Sequence, residues 1–484
     1  MNIVKKTLKK YNDIPVAAKA TLWFMFCSIL QKCISLITTP IFTRIMSTTQ
    51  YGQFSVYNSW LNIFSIFATL RLNLAVFNKG MNKYKDDRDT YTATMQTITF
   101  CITCCMFVVY LLFHEQINRL TELPTFIMVA MFAELLFMPA IDFWTVRKRY
   151  EYIYKPVVFR TLAMAFLNAA IGVIAVLLSE EKGYVRILTC ILVNMCFGIS
   201  LFVYNYRKSK RFFKKEYAVF AIMFNLPLLL HYVSQYILDQ FDRIMVQKMV
   251  GIAAAGIYGV AYNAGLLMRI VTQSINSALV PWQYDQLEKG NLKRLDDVLF
   301  GIYLLIASVA FIFSACAPEI MKILADETYH EAVYVIPPVA IGLVFSFMYT
   351  TFANVEFFYN QNKFTMFISM GGALLNIVLN YIFINLYGYI AAAYTTLFCY
   401  VFFALSHYVY MTSSVKRFLK IEKVFNTTRL VLLSVVILVI GLLVVFVYEW
   451  IWIRYAIIVL VCGLAYLSRN RILSILKEVN TKKK

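Results

Sequence analysis

RLVLLSVVILVIGLLVVFVY, residues 429–448, is twenty residues long and carries one charge, Arg429, at its first position. A helix rises about 1.5 Å per residue, so a run of this length reaches across the roughly 30 Å hydrocarbon core of a bilayer. Thirteen further apolar runs lie near 20–43, 52–78, 92–113, 123–146, 156–178, 185–206, 218–239, 252–280, 297–317, 332–355, 365–386, 389–411 and 451–468. The 484 residues are 61% hydrophobic and 15% charged, with a mean hydropathy of +0.66. A soluble domain holds roughly 45–50% apolar residues. Fourteen crossings use about 280 residues, which leaves short loops and two tails and no room for a soluble catalytic domain. The fold class is therefore an all-α integral membrane protein with about 14 transmembrane helices.

The net charge of +20 would raise nucleic acid in a soluble protein. Here its distribution gives a different reading, because cytoplasmic loops of membrane proteins are rich in Lys and Arg. The N-tail and alternate loops on its side hold 33 of the 46 basic residues, the opposite loops hold 8, and five lie within or at the edges of the runs. That asymmetry puts both termini in the cytoplasm, and a miscount of one helix would erase it. No nucleic acid partner is expected. The first twenty residues carry Lys5, Lys6, Lys9, Lys10 and Lys19 and enter a long run with no small-residue cleavage site, as a retained first helix would. The ten cysteines all fall in apolar runs and serve as small core residues.

Ionisable side chains in the hydrocarbon region are costly unless paired or facing water. On the first helix Thr21, Ser28, Lys32, Ser35 and Thr39 share a stripe at helical spacing, and on the second Ser55, Asn58, Asn62, Ser65, Thr69 and Asn73 do so. The seventh carries Asn225, Tyr232, Tyr236 and Asp239; the eighth carries Tyr258, Tyr262, Gly265, Arg269, Gln273 and Asn276. Such stripes fit a hydrated cationic cavity, with Arg269, Lys32 and Arg71 as candidate anion ligands and Gln273, Asn276, Tyr262, Asn58, Asn62 and Asn225 as polar lining. They also fit structural pairs that bury Lys32 and Arg269, with Glu134 as partner. Arg71 points about 160° away from its helix's polar stripe, so it reaches a ligand only if the helix bends there. Glu134, a mid-span acid, is a candidate coupling group. Asp239, Asp242 and Arg243 read as an interfacial cluster at the outer end of the seventh helix. The four histidines have no metal-ligand spacing, no Walker-type glycine loop is present, and no cofactor is called for.

Arg44-Ile-Met followed by Gly52-Gln-Phe-Ser-Val-Tyr-Asn58 is echoed by Arg243-Ile-Met followed by Gly256-Ile-Tyr-Gly-Val-Ala-Tyr-Asn263. The offset is about 200 residues, or six helices, and six crossings preserve orientation. Two six-helix lobes related by an axis along the membrane normal would produce it.

The stretch TPIFTRIMSTTQYGQFSVY, residues 39–57, resembles the opening signature of the polysaccharide-biosynthesis flippases. These are the Wzx-type branch of the multidrug/oligosaccharidyl-lipid/polysaccharide exporter superfamily. Asp242-Arg-Ile-Met-Val246 with Gly256-Ile-Tyr258, Ala317-Pro-Glu-Ile320 with Tyr329 and Ala332, and Asn376-Ile-Val-Leu-Asn380 with Gly388 and Ala391-Ala-Ala-Tyr-Thr395 are similar to later family stretches, in order. The resemblance implies two six-helix lobes in a V around a central cavity, spanning 1–210 and 211–415, with 416–484 as two extra helices and a basic tail. It implies alternating access and a cargo of undecaprenyl-pyrophosphate-linked oligosaccharide, moved across a bacterial plasma membrane for O-antigen or capsule, with a polymerase and chain-length proteins as downstream partners. Arg269 lies on the helix where related lipid II flippases use an arginine, although no local motif aligns the two; Lys32 belongs to no family motif. The alternatives are a cation-coupled multidrug exporter of the same superfamily, which would favour acids in the first lobe, and a membrane glycosyltransferase or polymerase. The enzyme would need an outer loop longer than the fifteen or so residues found here.

Overall fold

Ser47 and Gln50 show how the polar residues of this chain punctuate it. The Ser47 hydroxyl accepts from the Gln50 backbone N–H at 3.2 Å, and the Gln50 side chain accepts from the Ser47 N–H at 3.0 Å. This reciprocal cap stops one helix and starts the next. The computed structural model describes residues 15–359, 365–419, 424–470, 473–474 and 479, and among these every regular element is helical. Residues 5–10 and much of 469–484, which contribute to the charge asymmetry, lie outside the described residues.

The chain forms two compact units, Met1–Val233 and Ser234–Lys484. The first runs through α1 (Val16–Ile45), α2 (Thr48–Thr69), α3 (Ala75–Lys83), α4 (Arg88–Leu112), α5 (His114–Thr121), α6 (Thr125–Tyr150), α7 (Lys155–Leu177), α8 (Lys182–Lys208) and α9 (Lys215–Tyr236), and the division falls inside α9. The second runs through a π-helical turn (Ile237–Phe241), α10 (Asp242–Met249), α11 (Ile252–Gly265), α12 (Met268–Glu288), α13 (Leu292–Ala315), α14 (Ala317–Leu324), a 3-10 stretch (Glu327–Val335), α15 (Ile336–Phe358), α16 (Thr365–Tyr387), α17 (Ala391–Leu419), α18 (Thr427–Leu443) and α19 (Ile451–Leu467).

Among the described residues, eleven helical segments are long and apolar enough to cross a membrane, or twelve when the bent pair Lys215–Leu226 and Leu228–Met249 is taken as one span. The count of fourteen is not confirmed. The two runs that make the difference are α2, whose asparagines and serines lower its hydropathy, and α19, with 17 residues. The chain is a multi-pass membrane protein in either count. Phe446, Trp452 and Leu178 show about four-fifths of their surface, as lipid-facing side chains do.

Each unit has its own core. In the first, Phe77, Tyr91, Phe143 and Tyr217 pack together, and Gly80 lets Tyr91 sit where a Cβ would stand only 2.1 Å from the ring. In the second, Tyr303, Phe345 and Phe403 belong to one cluster, and Gly372 leaves room for the Phe403 ring. Outside the spans, Arg147 bridges Asp89 at 2.5 Å and Glu151 at 2.9 Å, with Lys148 also on Glu151. Burial pushes the Glu151 carboxyl up, but the bonds from Lys148 and Arg147 outweigh it and hold the group below the usual carboxylate range.

Half of the repeated motif takes equivalent places. Gly52 is the fifth residue of α2 and Gly256 the fifth of α11. The Arg-Ile-Met triplets do not correspond: Arg44 is next to last in α1, whereas Arg243 is the second residue of α10.

Candidate functional site

Two interruptions of regular helix bring one acid and one base together in the second unit. Asp239 sits in the π-helical turn that follows α9, and Arg269 is the second residue of α12, just past the break at Leu266–Leu267. The Arg269 N–H bonds the Leu266 carbonyl at 2.9 Å, three residues back, so the chain turns tightly before α12 begins. π-helical turns inside α-helices are found often at functional sites. Here the turn carries Asp239, the acid that meets Arg269.

The guanidinium is engaged through two nitrogens, with Nη1 2.9 Å from Asp239 Oδ2 and Nη2 2.7 Å from Oδ1. The side chains remain 30% and 25% exposed, so the pair faces open space. That space is a cavity of about 240 Å³ whose walls include Gln273, Asn276, Tyr349 and Tyr400. The Tyr400 hydroxyl donates to Asp239 Oδ1 at 3.3 Å. The buried Oδ1 of Asn276 has no hydrogen-bond partner. A bidentate arginine–carboxylate pair is charge-assisted and directional, and it leaves the cavity close to neutral. The volume is below the roughly 300–1,000 Å³ of ordinary ligand pockets, enough for a charged head or part of a sugar.

Arg269, Gln273 and Asn276 thus share one cavity, and Tyr262 does not join them. It is 1% exposed, beneath the Arg243 guanidinium at 5.2 Å and beside Tyr258 at 5.4 Å. Asp239, Asp242 and Arg243, expected to hold an interfacial structural pair, make different hydrogen bonds, although the charge of Arg243 acts on Asp242. The Asp242 carboxylate is buried and accepts from Tyr258 Oη at 2.9 Å, Asn380 Nδ2 at 2.7 Å and Thr396 Oγ1 at 2.6 Å. Arg243 donates to Gln240 and Asn263, at 2.7 Å each. Among the described residues no group of three or more His, Cys, Asp and Glu could hold a metal ion.

In the first unit the candidates are dispersed. Lys32 is exposed on α1 with Ser28 and Ser35 beside it on the same stripe. Asn58 and Asn62 on α2 are half-buried, and the Asn58 amide donates back to the Phe54 carbonyl at 2.7 Å. Glu134 on α6 is 1% exposed; it accepts from Tyr57 Oη at 2.6 Å and Asn194 Nδ2 at 2.5 Å. Among the described residues its hydrogen-bond partners are these two neutral donors, and Arg269 is instead paired with Asp239.

Arg71 is where the helix does bend. Leu70 and Arg71 both take positive φ, 45° and 52°, which ends α2 and reorients the chain before α3. Such values are uncommon for residues other than glycine. Thr69 Oγ1 accepts from the Arg71 N–H at 3.1 Å, and the Asn225 amide of α9 donates to the freed Leu70 carbonyl. Asn225 is buried and fastens that break; it lines no cavity described here. Asn73 donates to Asp142 at 3.0 Å, and the charge of Arg71 acts on the same carboxylate.

The profile of the polysaccharide biosynthesis protein family matches residues 17–285, and that of the MatE family matches residues 227–382. The "Lsg locus putative protein 1" of Haemophilus influenzae is 23% identical over 360 residues, covering 71% of this chain and 86% of that protein. Among solved structures, the lipid II flippase MurJ in an inward closed conformation aligns with a TM-score of 0.68 at 15% identity, over 93% of this chain and all of that one. An inward-facing multidrug resistance MATE family transporter of the MOP superfamily aligns with a TM-score of 0.59 at 11% identity, over 81% of this chain and 96% of that one. The fold is that of these membrane transporters.

Proposed function

Because the chain belongs to the polysaccharide biosynthesis protein family, we propose that it is a flippase for undecaprenyl-pyrophosphate-linked oligosaccharide. It carries this lipid from the inner to the outer leaflet of a bacterial plasma membrane by alternating access, with both termini in the cytoplasm. The product feeds O-antigen or capsule assembly, through a polymerase and chain-length proteins. The observation that carries the reading is the partly exposed Arg269–Asp239 pair in a cavity walled by tyrosines and amides. A pyrophosphate leaving headgroup water needs charge-assisted donors in exchange, and arginine's planar fork fits phosphate oxygens as well as it fits a carboxylate. Asp239 keeps the guanidinium satisfied when no cargo is bound and yields it when cargo arrives. The orphaned Asn276 Oδ1 accepts from a sugar hydroxyl. Within the first unit, Lys32 and Arg71 are the candidate cations for an anionic headgroup.

Expression in cells that lack their own flippase but make the lipid-linked donor tests this. Surface polysaccharide is expected to return, and labelled donor on the cytoplasmic leaflet to fall. Persistent accumulation despite normal membrane abundance would remove the reading.

The MatE match and the acid Glu134 favour a second reading, a cation-coupled multidrug exporter. The two part at Glu134. Glu134→Gln keeps an accepting oxygen for Asn194 and turns an N–H toward the Tyr57 hydroxyl, which can accept it, so stability is expected to fall less than in Glu134→Ala, which orphans both Tyr57 and Asn194 and costs about 2–4 kcal/mol. If Glu134 carries the coupling cation, the Gln variant loses about tenfold in transport, an effect of roughly 1.4 kcal/mol on the barrier. A Gln variant that transports normally would make Glu134 a packing residue.

A further inference from the structure

The mechanism above leaves a buried ionisable pair in the second unit without a task. His407 on α17 and Glu356 on α15 are each 1% exposed, and His407 Nδ1 lies 3.0 and 3.2 Å from the two Glu356 oxygens. The Thr365 hydroxyl, at the start of α16, reaches Glu356 Oε2 at 3.3 Å. Tyr349 lies seven residues before Glu356, and Tyr400 seven before His407. Seven residues are about two turns, or roughly 10 Å, along one helix face. Both tyrosines are walls of the Arg269 cavity, so the pair forms the layer next to it on the same two helices.

Tyr349 joins the layers. Its ring stacks on the His407 imidazole, with centroids 5.5 Å apart and planes 26° from parallel.

We propose that the Glu356–His407 pair is a proton-binding site coupled to the cargo cavity through Tyr349. A proton taken from water forms an imidazolium held by the Glu356 carboxylate; its release to water restores the neutral ring. An imidazolium attracts the π-face of Tyr349 more strongly than neutral imidazole does. Each protonation state therefore sets a different preferred position for a cavity wall beside Asp239 and Arg269. Histidine is the side chain whose charge ordinarily changes between about pH 5 and 8. Among the described residues, the titratable groups facing His407 are Glu356 and Tyr349 from α15, and α16 brings the Thr365 hydroxyl to Glu356. Asp242 of α10 is taken by Tyr258, Asn380 and Thr396, and Arg429 of α18 by Asp296 and Asp297.

The coupling to cargo rests on the flippase reading, so the test has one arm that does not. Tyr349→Trp is made in the full-length protein, and its emission is followed across about pH 5 to 8, with and without His407→Gln, which keeps a donor toward Glu356. The expected result is a titration with His407 that disappears with His407→Gln at equal abundance and monodispersity. Glu356→Gln is expected to displace its midpoint. An emission independent of pH, or one titrating equally in both proteins, overturns the proposal and leaves a structural clip between α15 and α17. In the second arm, rescue of surface polysaccharide is expected to depend on pH with His407 and to lose that dependence with His407→Gln. If the parent rescues nothing while the emission still titrates, the flippase reading fails and the proton site stands. If rescue depends on pH equally in both proteins, the coupling fails.

Discussion

With Arg269 changed to alanine, surface polysaccharide in flippase-deficient cells falls at least ~100-fold while the protein remains in the membrane. The size follows from the two charge-assisted hydrogen bonds proposed between Arg269 and a pyrophosphate, each worth about 1.5–3 kcal/mol, with about 1.4 kcal/mol per factor of ten. Stability is expected to fall less than the roughly 3–5 kcal/mol typical of breaking a buried pair. The reason is that Asp239, a quarter exposed and bonded to Tyr400, is partly solvated once its partner is gone. The double variant Arg269→Ala with Asp239→Ala separates fold from function, because removing both charges restores abundance without supplying the anion's donors. Transport regained by the double variant would make the pair a structural element. Arg269→Lys keeps the charge but cannot offer the fork, so it falls between parent and alanine. Asp239→Asn frees the guanidinium from its countercharge, and binding of inorganic pyrophosphate to the purified protein tightens.

The same two helices show where a sequence is legible and where it stops. Arg269, Gln273 and Asn276 lie on one face at helical spacing, and they share a cavity wall. The extension of that face back to Tyr262 assumed one continuous helix. The break at Leu266–Leu267 turns α12 against α11, so Tyr258 and Tyr262 pack inward while Arg269 faces the cavity. Asp239 was hidden for a related reason. Its neighbours in sequence are Asp242 and Arg243, and it meets Arg269 across 30 residues, from the π-helical turn to the first turn of α12. Tyr349 and Tyr400 stand on two further helices, and no periodicity within one segment connects them to Arg269. Apolar runs, being local, located the spans. The limits of that approach appear at α2, polar enough to fall short on hydropathy, and at α19, too short.

Arg71 yields the converse case, a position where backbone strain and side-chain charge are separable by substitution. Read as a straight helix, Arg71 points away from the polar stripe of α2; the left-handed residues at 70 and 71 remove that objection. A left-handed conformation costs a non-glycine residue about 1–2 kcal/mol. Glycine relieves that cost but loses about 0.5–1 kcal/mol through the entropy of its unfolded chain. Arg71→Gly relieves that strain but also takes from the Asp142 carboxylate a charge that acts on it, so its Tm is expected to lie a few degrees above that of Arg71→Ala, since about 1 kcal/mol moves a chain of 150–250 residues by roughly 2–4 °C. Its transport is expected to fall at least ~10-fold, the worth of one charge-assisted contact to the anion. Arg71→Ala keeps the strain and loses the charge, so it falls as far in transport without the gain in Tm. Arg71→Lys keeps the charge and retains much of the rescue. The informative result is the contrast between stability and transport, because a purely structural arginine would lose both or neither. A glycine variant that is both stable and fully active would show that the strained turn at 70–71 serves the packing of Asn225 and Leu70, and that the anion is handled elsewhere.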